Sequence, residues 1–308
     1  MKDLGPLIHK AIRRRDRLSS VTNALRLVNG RGDGLDGLLI DRYHKHLHVQ
    51  VLNDQWHKQI LLIQEALTAA LAVDYLVVKI RRGLHFEAKE LITGPSQTTV
   101  EEYGVKFKVD LNDGLNCGLF LDMRHNRRLA AGFAAGKKML NCFAYTCSFG
   151  VHARKAGAAQ VINTDISRKV LERGKDNYRL NGLPFSGAEF LRADSVSFLQ
   201  RAIKKGQTYD LVILDPPSFA RHEGKVFQVK RDLPKAVALS AAVLEPGGAL
   251  LVTTNYSDLN HAGLERILSR GLNGRRVDGI ERVGQDEDFV GTNSFKESYM
   301  VGLWVRFL

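Results

Sequence analysis

The chain has 308 residues, 44% of them hydrophobic and 25% charged, and a formal net charge of +12 at pH 7. This composition is typical of a globular protein with one large domain and an accessory piece, or with two domains. The positive charge predicts attraction to polyanions and argues against a protein whose partners are acidic small molecules alone.

The sequence shows no membrane segment, secretory signal or metal motif. No apolar run approaches the length of a membrane span, and the N-terminus has no signal-peptide core. The three cysteines, Cys117, Cys142 and Cys147, form neither an even framework nor a pair with metal-ligand spacing, which fits a reducing compartment. We therefore expect a cytoplasmic protein without a membrane or metal partner.

The positive charge is concentrated at the N-terminus. Residues 1–31 hold eight Lys and Arg against two Asp, a surplus of six and half of that of the whole chain. Residues 4–18 are predicted to form an amphipathic helix, with Leu4, Leu7, Ile8, Ala11 and Ile12 on its apolar side. A solvated helix face is the alternative, but the concentration of charge favours RNA contacts through Arg13, Arg14, Arg15 and Arg17.

The first third of the chain reads as a small α+β unit. Between residues 26 and 43, four glycines within eight residues mark tight turns between short strands. Further strands are predicted at 47–52 and 74–80, and an amphipathic helix at 57–72. Gly94-Pro95-Ser96 ends this unit and a hairpin begins near Tyr103, so we predict an N-terminal domain over 1–104 and a second domain over 105–308.

Strands and helices alternate from residue 139 onwards. This rhythm predicts an α/β fold with a Rossmann-like, doubly wound and mostly parallel sheet. A pair of antiparallel strands at 276–283 and 299–307 is expected to close it. The predicted strands are 139–143, 161–164, 190–193, 211–215 and 249–253, and the helices 151–156, 167–180, 196–204 and 233–244.

A rigid loop follows the apolar strand that ends at Asp215. The prolines of Asp215-Pro216-Pro217-Ser218-Phe219 stop the strand and favour an extended backbone. An acid, a hydroxyl and an aromatic ring therefore follow the carboxyl end of a strand, where open α/β sheets bind ligands. An ordinary strand and turn would explain the prolines alone, whereas the acid and the aromatic ring favour a site.

Three successive strands end in aspartates: Asp165, Asp194 and Asp215. The loop after the first strand, residues 141–150, lacks G-x-G-x-x-G, so it does not support a pyrophosphate cradle. Helix capping, with Ser167 and Ser195 beside the first two acids, is the alternative for each aspartate alone. Together they favour a nucleoside ligand without phosphates, and S-adenosylmethionine is the obvious candidate.

Residues 105–308 resemble class I S-adenosylmethionine-dependent methyltransferases. They are most similar to the bacterial enzymes that modify cytosine C5 or guanine N7 of large-subunit ribosomal RNA, and residues 26–43 resemble the middle domain of that group. The matching segments are 118–127, 140–149, 163–167, 177–182, 192–194, 215–219 and 285–289. The resemblance implies a cofactor site lined by Phe120, Asp122, Arg124, Phe143, Tyr145, Asp165, Ile166, Asp194 and Asp215, to which we add Ser167 and Ser195.

The chain departs from this family at two points. Many relatives begin with an RNA-binding PUA domain, and this chain starts too late to contain one, so the basic helix is expected to supply part of the grip on RNA. Methylation of cytosine C5 requires a thiolate that attacks C6, and in the cytosine-type relatives this cysteine follows the next strand. The corresponding stretch here, residues 251–257, has no cysteine, and Cys147 is expected to pack in the cofactor loop.

We therefore predict an RNA methyltransferase that modifies a base nitrogen, with guanine N7 slightly ahead of an exocyclic amine. N7 carries a lone pair and no proton, so correct positioning can suffice. The predicted acceptor-side residues are Asp215, Pro216, Ser218, Phe219 and Asn255. The alternatives are a cytosine-C5 enzyme with a cysteine in an unusual place, a methyltransferase of a protein or small molecule, and a non-catalytic RNA-binding protein. The oligomeric state, monomer or homodimer, stays open.

Overall fold

The chain forms two compact units in the computed structural model. The first comprises Met1–Arg124 and Gln285–Tyr299, and the second His125–Gly284 and Met300–Leu308. The structure describes residues 4–82, 85–114, 116–217, 219–222, 225–272, 274–291 and 300–308, with backbone alone for 219–222, 225 and 226.

The first unit contains a five-stranded sheet in the order β1-β2-β3-β4-β5. Strands β3 and β4 are parallel and the other neighbours antiparallel, while β6 and β7 form a separate hairpin. This confirms the strands and the tight turns predicted here. The elements are α1 (Leu4–Arg13), β1 (Ala24–Asn29), β2 (Leu38–Tyr43), β3 (His46–Val51), α2 (Ile60–Ala70), β4 (Tyr75–Arg82), β5 (His85–Ile92), β6 (Gln97–Glu102) and β7 (Val105–Asp110).

The N-terminal helix is shorter than the sequence indicated. Leu4, Ile8 and Ala11 are buried at helical spacing, as predicted, but α1 ends at Arg13 instead of continuing to residue 18. The chain turns there because the side chain of Arg15 enters the interior, where its Nη1 donates to the Ala11 carbonyl and its Nε to the Arg26 carbonyl.

At two positions between residues 30 and 37, the backbone geometry explains why the residue is glycine. A Cβ on Gly32 would lie 1.8 Å from the carbonyl oxygen of Val290, so only glycine permits this backbone approach. Gly37 has φ +80°, a conformation that glycine adopts without strain. The approach of Val290 ties the segment after Gln285 to the turns that follow β1.

The second unit is built on a seven-stranded sheet in the order β10-β9-β8-β11-β14-β16-β15. The five strands from β10 to β14 are parallel, and β16 runs antiparallel between β14 and β15. This confirms the doubly wound, mostly parallel sheet and its antiparallel closing pair. The elements are α3 (Arg124–Ala134), β8 (Lys138–Cys142), α4 (Ser148–Lys155), β9 (Gln160–Asp165), α5 (Arg168–Leu180), β10 (Phe190–Arg192), α6 (Ser195–Lys204), β11 (Tyr209–Leu214), β12 (Phe219–His222), β13 (Lys225–Gln228), α7 (Val229–Ala242), β14 (Leu244–Thr254), α8 (His261–Leu272), β15 (Val277–Val283) and β16 (Val301–Phe307).

Some elements of this unit were not predicted. Helices α3 and α8 were missed, although α8 buries Leu264, Ile267 and Leu268 at helical spacing. The hairpin β12–β13 between β11 and α7 was also missed, because its short strands carry little hydrophobic pattern. Within the described residues, no helix is both long and apolar enough to cross a membrane. The same residues contain no group of three side chains suited to hold a metal ion.

Candidate cofactor and acceptor site

The order of the strands directs attention to the carboxyl edge of the large sheet. From β8, one side of the sheet continues through β9 to β10, and the other through β11 to β14. Open α/β sheets bind ligands at such a switch point, outside the carboxyl ends of the strands. The loop after β8, Asp165, Asp194 and Asp215 all lie at this edge, because each follows or ends one of the parallel strands.

The loop after β8 has an unusual backbone. Phe143, Tyr145 and Cys147 all adopt positive φ, at 55°, 48° and 59°. Such conformations cost about 1–3 kcal/mol each for residues with a side chain and cluster at functional sites. Ser195 Oγ accepts from the Phe143 amide at 3.0 Å, and Asp165 Oδ2 from the Tyr145 amide at 2.9 Å. Side chains from neighbouring strand ends thus hold a strained loop where other nucleotide-binding folds carry glycines.

Cys147 packs within this loop. Its side chain is fully buried, and a Cβ on Gly174 would lie 2.4 Å from its Sγ, so α5 approaches the thiol closely. Burial raises the pKa of Cys147 well above that of an ordinary thiol, and the nearby Asp165 carboxylate adds to the effect. The thiol is therefore unsuited to form a thiolate nucleophile.

Asp165 is half-buried and held by two backbone groups. Its Oδ1 accepts from the Ser167 amide at 2.9 Å, and its Oδ2 is the acceptor for Tyr145. Burial raises the pKa of Asp165, and the bonds from these amides partly oppose that shift. Each oxygen keeps a lone pair for a further donor. Ile166, also half-buried, follows directly and accepts from Arg192 through its carbonyl.

Ser167 and Asp194 act as helix caps. The Ser167 hydroxyl accepts from the Val170 amide at 3.5 Å at the start of α5. Asp194 Oδ1 accepts from the Ser197 amide at 2.8 Å at the start of α6. The capping alternative raised from the sequence is therefore observed for both. A contact of either side chain with the cofactor stays a prediction.

Ser195 lies beneath the loop instead of at its surface. Only 1% of the residue is exposed, and its hydroxyl is shared between the Phe143 amide and Thr164 Oγ1, 2.9 Å away. Its contacts are those of a residue that positions the loop.

On the acceptor side, Asp215 is fixed by a residue that the sequence did not single out. Thr253 Oγ1, buried on β14, donates to Asp215 Oδ1 at 2.6 Å. Thr253 could have been identified from the sequence, because it lies at the carboxyl end of β14, the strand next to β11. Pro216 is buried, and Asn255 is exposed just beyond β14.

The loop beyond Pro217 is described in part. Ser218 lies outside the described residues, and so does the side chain of Phe219, whose backbone begins β12. Phe227 of β13 packs on Phe143, with 5.4 Å between ring centroids. The hairpin after β11 therefore contacts the loop after β8.

Phe120, Asp122 and Arg124 belong to the first unit. Phe120 and Asp122 are half-buried around a short 3-10 helix, Leu121–Met123. Arg124 is fully buried and forms ion pairs with Asp288 at 2.9 Å and Asp286 at 3.3 Å. The guanidinium is thus committed to a carboxylate cluster that sequence reasoning missed, and contacts of these three residues with the cofactor stay predictions.

The four arginines assigned to RNA separate into two groups. Arg13 and Arg17 are exposed, and Arg14 is 44% exposed beside Asp33. The assignment of Arg15 to RNA is wrong, because its side chain is 1% exposed and bonded to both Asp33 carboxylate oxygens at 2.6 and 2.7 Å.

Comparison with known proteins places the chain in a family. Residues 28–289 match the family model of S-adenosylmethionine-dependent methyltransferases. Among similar proteins, two named ribosomal RNA large subunit methyltransferase I, from Photobacterium profundum and Aeromonas hydrophila, are 35% identical over 290 and 294 residues. These alignments cover 89% and 91% of this chain, and 72% and 74% of the relatives.

Solved structures agree with this assignment. SMU.776, assigned as a methyltransferase and crystallised with SAH, is 26% identical, with a TM-score of 0.86 over 98% of this chain and 80% of the other. A structure assigned as a SAM-dependent methyltransferase, from Streptococcus mutans, is 25% identical, with a TM-score of 0.84 over the same shares. The chain therefore belongs to the S-adenosylmethionine-dependent methyltransferases and is an enzyme that uses S-adenosylmethionine.

Proposed function

We propose that this enzyme methylates RNA, and specifically large-subunit ribosomal RNA. The similarity to enzymes of that name, over about nine-tenths of the chain, is the observation that carries the proposal. The net charge of +12 and the exposed Arg13 and Arg17 support a polyanionic substrate. We retain the division of labour between an accessory RNA-binding domain, predicted at 1–104, and a methyltransferase domain, predicted at 105–308. The two compact units divide the chain elsewhere, because the first extends to Arg124 and includes Gln285–Tyr299.

The cofactor is proposed to bind at the carboxyl edge of the large sheet. Asp165 fits a ribose, because its half-buried carboxylate keeps lone pairs for two hydroxyl donors. The strained loop of Phe143 and Tyr145 fits a ligand that lies close to the backbone. Asp194 and Ile166 are proposed to border the nucleoside. Bound S-adenosylmethionine supplies a methyl group made electrophilic by the positively charged sulfur.

The acceptor is proposed to be a base nitrogen instead of cytosine C5. All three cysteines of the chain are buried. Burial raises the pKa of Cys117 and of Cys142 to about 12, and that of Cys147 well above its ordinary value. The stretch after β14 contains no thiol. A thiolate for attack on cytosine C6 is therefore unsupported.

Catalysis is then mainly a matter of position. Guanine N7 has an in-plane lone pair and needs no base, so the protein has to hold it in line with the methyl group. The Asp215 carboxylate, fixed by the buried Thr253 hydroxyl, is proposed to orient the acceptor base as a hydrogen-bond acceptor. Pro216, Ser218, Phe219 and Asn255 are proposed to complete the acceptor side. An exocyclic amine would instead donate to Asp215 or to the Pro216 carbonyl.

The proposal is tested by mapping modifications in ribosomal RNA. Large-subunit RNA from cells with and without the gene is digested and compared by tandem mass spectrometry. We expect one methylated purine to disappear in the deletion and to return when the purified enzyme acts on the unmodified RNA. A lost 5-methylcytosine would contradict the nitrogen acceptor, and an unchanged RNA would contradict the proposed substrate.

A further inference from the structure

Tyr256, Lys230 and Asp258 form a compact cluster beside the acceptor edge, which we call the Tyr256 cluster. The Lys230 ammonium lies 5.3 Å from the centroid of the Tyr256 ring. The Tyr256 hydroxyl donates to Asp258 Oδ2 at 3.0 Å, and Lys230 Nζ donates to the same oxygen at 3.1 Å. An aromatic ring, a cation and an acceptor are thus joined at one place.

The sheet places this cluster close to Asp215. Thr253 bonds Asp215, and Tyr256 follows it by three residues, so the Cα atoms of Thr253 and Tyr256 lie at most about 11 Å apart. Hydrogen bonds hold the backbone on both sides of Tyr256, since its amide donates to Thr254 Oγ1 at 3.1 Å and the Leu259 amide donates to its carbonyl at 3.0 Å. One short segment of RNA can therefore touch both the acceptor loop and the Tyr256 ring.

The cluster is poorly explained as a device for stability. Lys230 and Asp258 are 59% and 58% exposed, and exposed ion pairs contribute about 0–1 kcal/mol. Lys230 is also the second residue of α7, where a cation opposes the helix dipole. The ring, in contrast, is half-buried and oriented by its own hydroxyl, so little side-chain entropy is lost when a ligand packs on it.

We propose that the Tyr256 cluster is a nucleotide subsite for single-stranded RNA. The Tyr256 ring stacks on a nucleobase, and Lys230 contacts a phosphate. Single-stranded RNA is commonly held by aromatic rings and cations in this way. Lys230 has three N–H donors, and its contacts with Asp258 and Tyr256 do not use all of them, so a donor remains for a phosphate oxygen. This inference rests on the proposed function, because it assigns a part of the same RNA substrate.

The test compares four variants of the full-length enzyme. Binding of a fluorescein-labelled, single-stranded ribo-oligonucleotide of mixed sequence is measured by anisotropy at several salt concentrations. Tyr256→Ala is expected to weaken binding about 5- to 150-fold, the range for loss of one stacked base. Tyr256→Phe keeps the ring but loses the hydroxyl that orients it, so it is expected to retain most of the binding that Tyr256→Ala loses. Calorimetry with S-adenosylhomocysteine should give unchanged affinity for both.

Variants of Lys230 and of its ion-pair partner Asp258 test the phosphate contact separately, so this test does not depend on whether the Tyr256 variants fold. Lys230→Ala should weaken binding and reduce the slope of log K against log salt by about 0.7, the value for one phosphate of a single strand. Asp258→Asn, which releases Lys230 from its ion pair, should leave binding unchanged or strengthen it. Equal binding by Lys230→Ala, Asp258→Asn and the wild type would overturn the phosphate contact.

The experiment distinguishes failure of the proposed Tyr256 subsite from failure of the proposed function. Transfer of labelled methyl groups to large-subunit RNA from cells that lack the gene is measured in parallel. A wild-type enzyme that methylates this RNA, together with a folded Tyr256→Ala variant of unchanged binding and KM, would overturn the stacking role alone. A wild-type enzyme that transfers no methyl group to this RNA would overturn the proposed function itself.

Discussion

Replacement of Asp165 by alanine is expected to weaken cofactor binding by about 10- to 150-fold. Each carboxylate oxygen accepts one backbone amide and keeps a lone pair for a ribose hydroxyl. A hydrogen bond to a charged group contributes about 1.5–3 kcal/mol, and each 1.4 kcal/mol is a factor of ten in affinity. The estimate counts one ribose bond, so loss of a second bond, or movement of the loop at Tyr145, would increase the effect.

The affinity is measured by calorimetry with S-adenosylhomocysteine, and the fold is checked by thermal unfolding. Asp176→Ala is the matched control, because Asp176 is 43% exposed on α5 and pairs only with the exposed Arg179 among the described residues. The control should bind like the wild type. Unchanged affinity in a folded Asp165→Ala variant would refute the role of this carboxylate.

The pH dependence gives an independent check on Asp165. Burial raises its pKa above the ordinary value of 3.8, in part against the backbone bonds. Ribose hydroxyls donate to the carboxylate, so affinity should fall as the pH falls through this raised pKa. The contribution of Asp165 to the free energy of unfolding changes with pH in the opposite direction. Because the folded state binds the proton more tightly than the unfolded state, this contribution is largest below pH 3.8 and declines as the pH rises to the raised pKa. Asp165→Ala should lose both effects.

Three further predictions concern the loop, the RNA contacts and the thiol. Ser195→Ala should lower the free energy of unfolding by about 1–3 kcal/mol and weaken cofactor binding, measured by urea unfolding and calorimetry, because the half-buried Phe143 amide and the buried Thr164 hydroxyl both lose a hydrogen-bond partner. Changing Arg13 and Arg17 together to Glu should weaken RNA binding and flatten its salt dependence, with the fold unchanged, because both side chains are exposed. Cys147→Ala should retain full methyl transfer per folded molecule, because the thiol is buried.

For each of these three predictions, a specific result would contradict it. Wild-type unfolding and binding in Ser195→Ala would show that the hydroxyl does not hold the loop. For the arginines, changing the exposed Lys204 and Lys205 to Glu alters the net charge equally, and an equal loss of RNA binding would show that only total charge matters. A folded Cys147→Ala variant that binds cofactor and RNA but transfers no methyl group would reopen the covalent mechanism.

The large sheet and its antiparallel closing strands were predictable because each central strand is a short apolar run followed by a helix. The strand-end aspartates were visible for the same reason, since parallel strands bring their carboxyl ends to one edge. The roles of individual side chains were less predictable. Arg13 and Arg15 are alike in sequence, yet one is exposed and the other pairs with Asp33 in the interior.

The sequence by itself determined the fold class, the family and the order of the acids along the carboxyl edge, because these depend on local patterns and on motifs in order. Only the tertiary structure decided which groups meet. Asp288 joins Arg124 from 164 residues away, and Thr253 joins Asp215 from 38 residues away. It also showed that Ser195 supports a strained loop and that Tyr256 stands beside Lys230. Such contacts depend on how distant segments pack, which no local pattern records.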